Sequence, residues 1–203
     1  MAKTKKDWTG NIQSVFKTLG SSTHTDEERE TNDFYATDPI AATLLIQNYQ
    51  LNNNIWECSA GEGHLSKVFE DSGFNVKSTD LIDRGYGETG IDFLAQTGKF
   101  DGDIVTNPPY SLANQFVYKA LDLVNDGSNV CMFLKVLFLE GKARKKLFEE
   151  HPPKVIFVSS SRITCAKNAD FGGMKRSGGS AVAYGWYCWE KGYKGDTIVK
   201  WIN

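Results

Sequence analysis

No apolar run in the sequence approaches the roughly 20 residues that a bilayer-spanning helix needs. The amino-terminal lysines of MAKTKKDWTG are not followed by the apolar stretch of a secretory signal. The cytoplasm is the expected location. Cysteine is sparse and scattered: Cys58, Cys131, Cys165 and Cys188 make no C-x-x-C pair. That argues against a zinc site or a disulfide framework, so no metal is expected and the thiols should pack as small apolar groups. Charge of one sign is lacking too, with 23 Lys and Arg against 25 Asp and Glu and a net charge of −2. A protein that coats long duplex by charge alone would be more basic, which leaves room only for a local basic patch. Histidine occurs three times, and none marks an acid–base site. His64 reads as a residue of a first helical turn, and His24 and His151 as surface residues.

The 203 residues suffice for one domain with a real core. Residues 1–33 are polar and charged, with apolar side chains only at Trp8, Ile12, Val15, Phe16 and Leu19, and read as an arm. Residues 34–203 read as a single domain in which strand-like and helix-like segments alternate. Asp38-Pro39 is a helix start, with Ala42, Leu45, Ile46 and Tyr49 recurring at helical spacing. Strands are expected over 54–58, 74–80, 103–107, the start of 129–138, 155–160 and 181–189, with helices after 63, over 111–125 and over 140–150. Pro152-Pro153 should stop the last of these helices. The alternation predicts an α/β fold with a mostly parallel sheet covered on both faces. In such sheets chemistry sits at the carboxyl ends of the strands. Three ends carry polar or glycine-rich punctuation, at 57–63, 79–83 and 106–111, and should converge on one crevice.

The first of these ends, Glu57-Cys58-Ser59-Ala60-Gly61-Glu62-Gly63, joins a strand to a helix. Glycines let backbone approach a ligand closely, although a plain strand-to-helix turn would use the same residues. A dinucleotide fingerprint would need a third glycine, and His-Leu-Ser follows Gly63 instead. Asp80 closes the next strand, 17 residues beyond Gly63. An acid there can accept hydrogen bonds from two ribose hydroxyls. The loop has no Lys or Arg for a phosphate, and Glu57 can pair with an ammonium group. A nucleoside with an ammonium and no phosphate fits this half, and S-adenosyl-L-methionine is such a molecule.

Asn107-Pro108-Pro109-Tyr110, at the end of a buried strand, is the most specific feature. A bare turn does not explain an aromatic after two prolines. The amino group of a heteroaromatic base is a poor nucleophile because its lone pair is conjugated with the ring. Two acceptors, the Asn107 side-chain oxygen and the Pro108 carbonyl, can turn that lone pair toward a methyl donor and stabilise charge developing on nitrogen. The prolines fix the acceptors before substrate arrives. Tyr110 can stack on a planar base or amide. No general base is needed before transfer, because the proton can leave later to water.

These motifs, in the order NDFYATDP, ECSAGEG, STD and NPPY, resemble those of class I S-adenosylmethionine-dependent amino-methyltransferases. Specifically, they are similar to N6-adenine DNA methyltransferases, including small phage-encoded ones, over residues 32–203. The resemblance implies a Rossmann-like, seven-stranded sheet with a reversed hairpin at its edge. It implies Phe34, Tyr35, Thr37 and Asp38 near the cofactor, with Ser59 and Leu81 beside the Gly61 and Asp80 positions. It also implies Asp92 and Phe93 as an acidic and aromatic pair flanking the cofactor adenine. Cys58 departs from the pattern, which usually has proline there.

Family members usually carry a separate target-recognition domain, and none is visible. The one candidate is 161–180, in which Arg162, Lys167, Lys175 and Arg176 stand against Asp170 among four glycines. This segment and the arm are the expected contacts to nucleic acid, DNA foremost. The basic run at 142–146 reads as the wet face of a helix. RNA adenine, guanine N2 and a protein glutamine amide present the same conjugated NH2. The glutamine enzymes normally have a helical amino-terminal domain, for which 1–33 is too short and polar. Cytosine N4 methylation more often has Ser at position 107, and cytosine C5 chemistry needs a Pro-Cys motif that is absent. A non-catalytic binding module would have no use for preset acceptors.

Overall fold

The computed structural model describes residues 36–163, 165–166 and 182–203. Nine strands are named here in chain order: β1 (Ala36–Thr37), β2 (Asn54–Glu57), β3 (Asn75–Ser78), β4 (Asp103–Thr106), β5 (Asn129–Lys135), β6 (Val155–Ser159), β7 (Cys165–Ala166), β8 (Tyr184–Glu190) and β9 (Ile198–Ile202). The helices are α1 (Ile40–Asn48), α2 (Ser66–Asp71), α3 (Ala113–Leu123) and α4 (Lys142–Glu150). Short 3-10 turns follow the carboxyl ends of β4 and β5, at Tyr110–Leu112 and Val136–Leu139.

A seven-stranded sheet runs in the order β3-β2-β4-β5-β8-β6-β9. Neighbours β3, β2, β4 and β5 are mutually parallel, and so are β6 and β9. Only β8 is reversed, antiparallel to both β5 and β6. The reversed strand thus lies inside the sheet rather than at its margin, because β9 adds a further parallel strand outside β6.

Strand periodicity divides the core in two. Along β5, Val130, Met132 and Leu134 join Trp56, Ile104 and Tyr187 under α3 and α4, while Cys131 and Phe133 join Ile55, Val105 and Trp186 under α1 and α2. Burial on both faces explains why β5 reads as an unbroken apolar run. The indole Nε1 of Trp186 donates to the Ala41 carbonyl at 2.8 Å, fastening α1 to the sheet. Asp38 Oδ1 accepts from the Ile40 N–H at 3.2 Å and satisfies one free donor at the start of that helix. On α4, Leu147 is buried, whereas Lys145 and Lys146 pair with Glu149 and Glu150 at 3.5 and 3.6 Å on the wet side.

At the amino end of the sheet, the buried Asp103 carboxylate accepts from the backbone N–H groups of Asn52 and Asn129, each at 2.7 Å, and from Asn129 Nδ2 at 2.9 Å. Asn129 Oδ1 accepts in turn from the Tyr49 hydroxyl at 2.8 Å. This network fixes strand register at one end and leaves the opposite, carboxyl end for loops. All four cysteines are buried and free. No helix among the described residues is long and apolar enough to cross a membrane.

Candidate active site

Because β2 pairs in parallel with both β3 and β4, the three punctuated strand ends emerge side by side. The first two are bonded to each other. Ala60 N–H donates to the Thr79 carbonyl at 3.0 Å, and Gly61 N–H donates to Asp80 Oδ2 at 2.8 Å. The other Asp80 oxygen accepts from Ile82 N–H at 2.9 Å. Each carboxylate oxygen keeps lone-pair capacity for a further donor. Next to it, Leu81 is 58% exposed, an apolar surface beside an acid.

Gly61 and Gly63 both have positive φ, +57° and +79°, so neither position suits a side chain. At Gly63 a Cβ would also lie 2.5 Å from the Tyr86 ring. That ring is held by its hydroxyl, which donates to Glu70 at 2.8 Å, and by the Lys67 ammonium 4.9 Å from its centroid. Gly63 therefore seats the loop after β3 onto the turn after β2. Tyr86 gave no signal in the sequence, since it belongs to no periodic segment.

Glu57 ends β2 with its carboxyl buried, accepting a short hydrogen bond from Ser66 Oγ, which itself accepts from Ser78 Oγ at 2.8 Å. Burial outweighs the Ser66 bonds and pushes the Glu57 carboxyl up to about 8. Cys58 follows, buried, in place of the proline usual in the resembling family. Ser59 is half-buried at the start of the turn.

The Asp92 side chain is exposed and caps the 3-10 turn Phe93–Ala95 by accepting from Leu94 N–H at 2.9 Å. The Phe93 ring is 2% exposed and sits against Trp56 and Phe116, with centroids 5.4 and 4.9 Å away. Its ring neighbours come from β2 and α3.

Beyond β4, Asn107-Pro108-Pro109-Tyr110 leaves the sheet with both proline peptide bonds trans and Pro109 extended at ψ 122°. Asn107 Nδ2 donates to Thr37 Oγ1 at 2.7 Å. The Tyr110 hydroxyl donates to Cys165 Sγ at 3.4 Å. Lys135 Nζ, from the end of β5, lies 4.7 Å from the Tyr110 ring centroid, and the Tyr184 ring lies 5.8 Å away on a tilt. Burial raises the Tyr110 phenol well above its ordinary value, so it stays protonated. Thr37 and Cys165 are register partners in the small antiparallel pair β1·β7, which closes over the motif.

Two further polar atoms lie close to the motif in sequence. Thr106 Oγ1 and Asn114 Oδ1 are buried with no oxygen or nitrogen partner, although the Thr106 hydroxyl faces Cys58. Buried polar atoms are normally satisfied, so Asn114 Oδ1 is an exception close to the motif in sequence. Neither was singled out from sequence, nor were Lys135 and Cys165 as part of a site. Of the remaining expected residues, Asp38 follows Thr37 and accepts from the Ile40 N–H, and Arg162 is exposed. Tyr35, Lys167, Lys175 and Arg176 lie outside the described residues. No cluster of three or more His, Cys, Asp or Glu side chains suited to a metal occurs among the described residues.

No family model matches the chain, and no curated protein matches it by sequence. Solved structures do share its fold. A proposed RNA methyltransferase of Pyrococcus horikoshii superposes with a TM-score of 0.57 at 13% identity, over 88% of this chain and 98% of that one. A proposed class I S-adenosylmethionine-dependent methyltransferase of Listeria monocytogenes gives 0.58 at 12% identity, over 93% and 70%. A modification subunit of a proposed type I restriction enzyme from Vibrio vulnificus gives 0.55 at 12% identity, over 93% and 50%. The chain has the Rossmann-like α/β fold of the class I methyltransferases.

Proposed function

We propose that this protein is an S-adenosyl-L-methionine-dependent methyltransferase that acts on the exocyclic N6 amine of adenine in DNA. The observation that carries the reading is the bond from Asn107 Nδ2 to Thr37. It engages the nitrogen end of the carboxamide, and the reading assigns the oxygen end to a substrate N–H. The Pro108 carbonyl is the second acceptor, and the two trans prolines set its direction. A pair of acceptors is what an NH2 group requires if its lone pair is to leave conjugation.

The residues at the adjoining strand ends fit the cofactor. Asp80 offers acceptor capacity for ribose hydroxyls, Leu81 an apolar surface for a base, and Glu57 a carboxyl whose ionisation an ammonium would favour. The buried side-chain oxygen of Asn114, close to the motif in sequence, is a further polar atom without a partner. When bound, the cofactor provides an electrophilic methyl group. The chain's own residues bind the amine, orient it, stabilise the charge it gains and let the proton pass to water afterwards. The NPPY motif argues for an amine over an oxygen or carbon acceptor. Similarity to adenine enzymes in motif order favours N6, with DNA ahead of RNA.

An adenine in duplex would have to leave the stack to reach Asn107. Arg162, Lys167, Lys175 and Arg176 are the proposed contacts to nucleic acid. Tritiated S-adenosylmethionine, supplied with adenine-unmethylated DNA, with RNA, and with a glutamine-containing peptide, tests the reading. Label should enter DNA. Asn107→Ala should bind cofactor normally and lose at least about 100-fold in transfer, the scale of removing one preorganised polar group. Label entering RNA or peptide alone would contradict the DNA assignment, and label in none would contradict the enzyme.

A further inference from the structure

Two residues far from each other in sequence meet behind the acceptor pair. Thr37 is 4% exposed and Cys165 is 3% exposed, and they face one another across the β1·β7 register. Thr37 accepts from the Asn107 carboxamide at 2.7 Å, and Cys165 accepts from the Tyr110 hydroxyl at 3.4 Å. One buried cluster thus touches both polar side chains of the NPPY motif.

The two ends of a carboxamide are nearly the same in shape and opposite in function. Turned over, Asn107 would present N–H groups to an incoming amine and repel it. A threonine hydroxyl alone does not choose between the two orientations, because it both donates and accepts. A third partner has to decide where its proton goes. The Cys165 sulfur is the partner the fold supplies: it belongs to the residue opposite Thr37 in the β1·β7 register, and it already accepts from the Tyr110 hydroxyl at 3.4 Å. A thiol sulfur engaged as an acceptor by one hydroxyl can accept a second. Burial keeps the thiol neutral, pushed up to about 11. With the Thr37 proton directed at sulfur, its oxygen lone pairs face Asn107 and require the Nδ2 end.

We propose that Thr37 and Cys165 are positioning residues: the sulfur orients the Thr37 hydroxyl, Thr37 orients the Asn107 carboxamide, and the same sulfur holds Tyr110. This rests on the methyltransferase reading above. It gives Thr37 a role different from the cofactor contact that the family resemblance implies. It also joins the catalytic motif to β7, which lies within residues 161–180.

Thr37→Val keeps the volume and removes the hydroxyl, Thr37→Ser keeps the hydroxyl, and Cys165→Ala removes the sulfur. Single-turnover transfer to adenine-unmethylated DNA and calorimetric binding of S-adenosylmethionine are measured on each full-length chain. Thr37→Val and Cys165→Ala should lower the transfer rate about 10- to 100-fold, the range for a reacting group held slightly out of place. Cofactor Kd should stay within about twofold, and Thr37→Ser should recover most of the rate. The double variant Thr37→Val/Cys165→Ala should be little slower than Cys165→Ala alone, because the loss of sulfur already releases the Thr37 hydroxyl.

A wild-type rate in Thr37→Val overturns the proposal. So does a Thr37→Val defect confined to cofactor Kd, which would make Thr37 a cofactor ligand, and so does a Thr37→Ser as slow as Thr37→Val, which would reduce the role to packing. If Thr37→Val does not fold, a wild-type rate in Cys165→Ala overturns the proposal by itself. A wild-type chain that transfers no methyl group overturns the methyltransferase reading first and the positioning role with it.

Discussion

Glu57 shows how one residue can carry two demands. Its carboxyl is buried, and the hydrogen bond from Ser66 does not compensate for the lost water, so its pKa rises from 4.5 to about 8. A raised carboxyl pKa means that the folded state keeps a proton which the unfolded chain has lost. The stability this group contributes is therefore full below about pH 4.5 and falls as pH rises toward about 8. At 1.36 kcal/mol per pKa unit, the span is at most about 5 kcal/mol. Glu57→Gln should flatten the decline in Tm between pH 5 and 8, measured by thermal melts, and an unchanged slope would contradict the assignment. A cofactor ammonium set against Glu57 should expel its proton. Calorimetry at pH 7 in two buffers of different ionisation enthalpy should show proton release in the wild type and none in Glu57→Gln. The sequence placed Glu57 at a strand end beside a glycine turn. It did not show the burial, because Ser66 and Ser78 come from α2 and β3 and converge only in the fold.

The elements were legible where a period was sustained and the flanks were punctuated. Residues 103–107 ended before two prolines, and β4 is Asp103–Thr106. The stripe from Leu112 to Val124 became α3 at Ala113–Leu123, with Leu112 and Val124 just outside it. What could not be read was long-range. The strand β9 crosses to the far side of β6, and β1 finds β7 across more than a hundred residues. Neither event leaves a mark on local periodicity. Phe93 likewise sits in a stretch with no period, so nothing in the sequence showed that its ring packs against Trp56 and Phe116. Asp103 makes the register testable at this scale. Asp103→Ala would strand the N–H groups of Asn52 and Asn129 that the carboxylate now satisfies. Denaturant unfolding should show a loss of about 2–5 kcal/mol. A loss below 0.5 kcal/mol would mean the amino ends of β4 and β5 are held by something else.

On the scale of the molecule, the amino end of the sheet is nailed by a polar network and the carboxyl end is left to the loops of the proposed site. Exposed apolar side chains follow those carboxyl ends at Leu81 after β3, Leu112 after β4, and Leu137 and Leu139 after β5, and others lie at Ile40 and along β9 at Ile198, Val199 and Trp201. A net charge of −2 gives the whole molecule little attraction for a polyanion, so binding has to come from a local patch. Lys175→Glu/Arg176→Glu should weaken DNA binding in a salt-dependent manner and leave cofactor Kd unchanged. Equal DNA affinity in fluorescence anisotropy would remove the 161–180 segment from the interface. The proposed role of the acceptors at 107 and 108 is a methyl transfer to adenine N6. Methylome sequencing of DNA from cells expressing the protein, beside cells expressing Asn107→Ala, tests it most directly. N6-methyladenine that appears with the wild type and is absent with the variant is the expected result. Adenines left unmodified by a soluble, folded wild-type protein would contradict it.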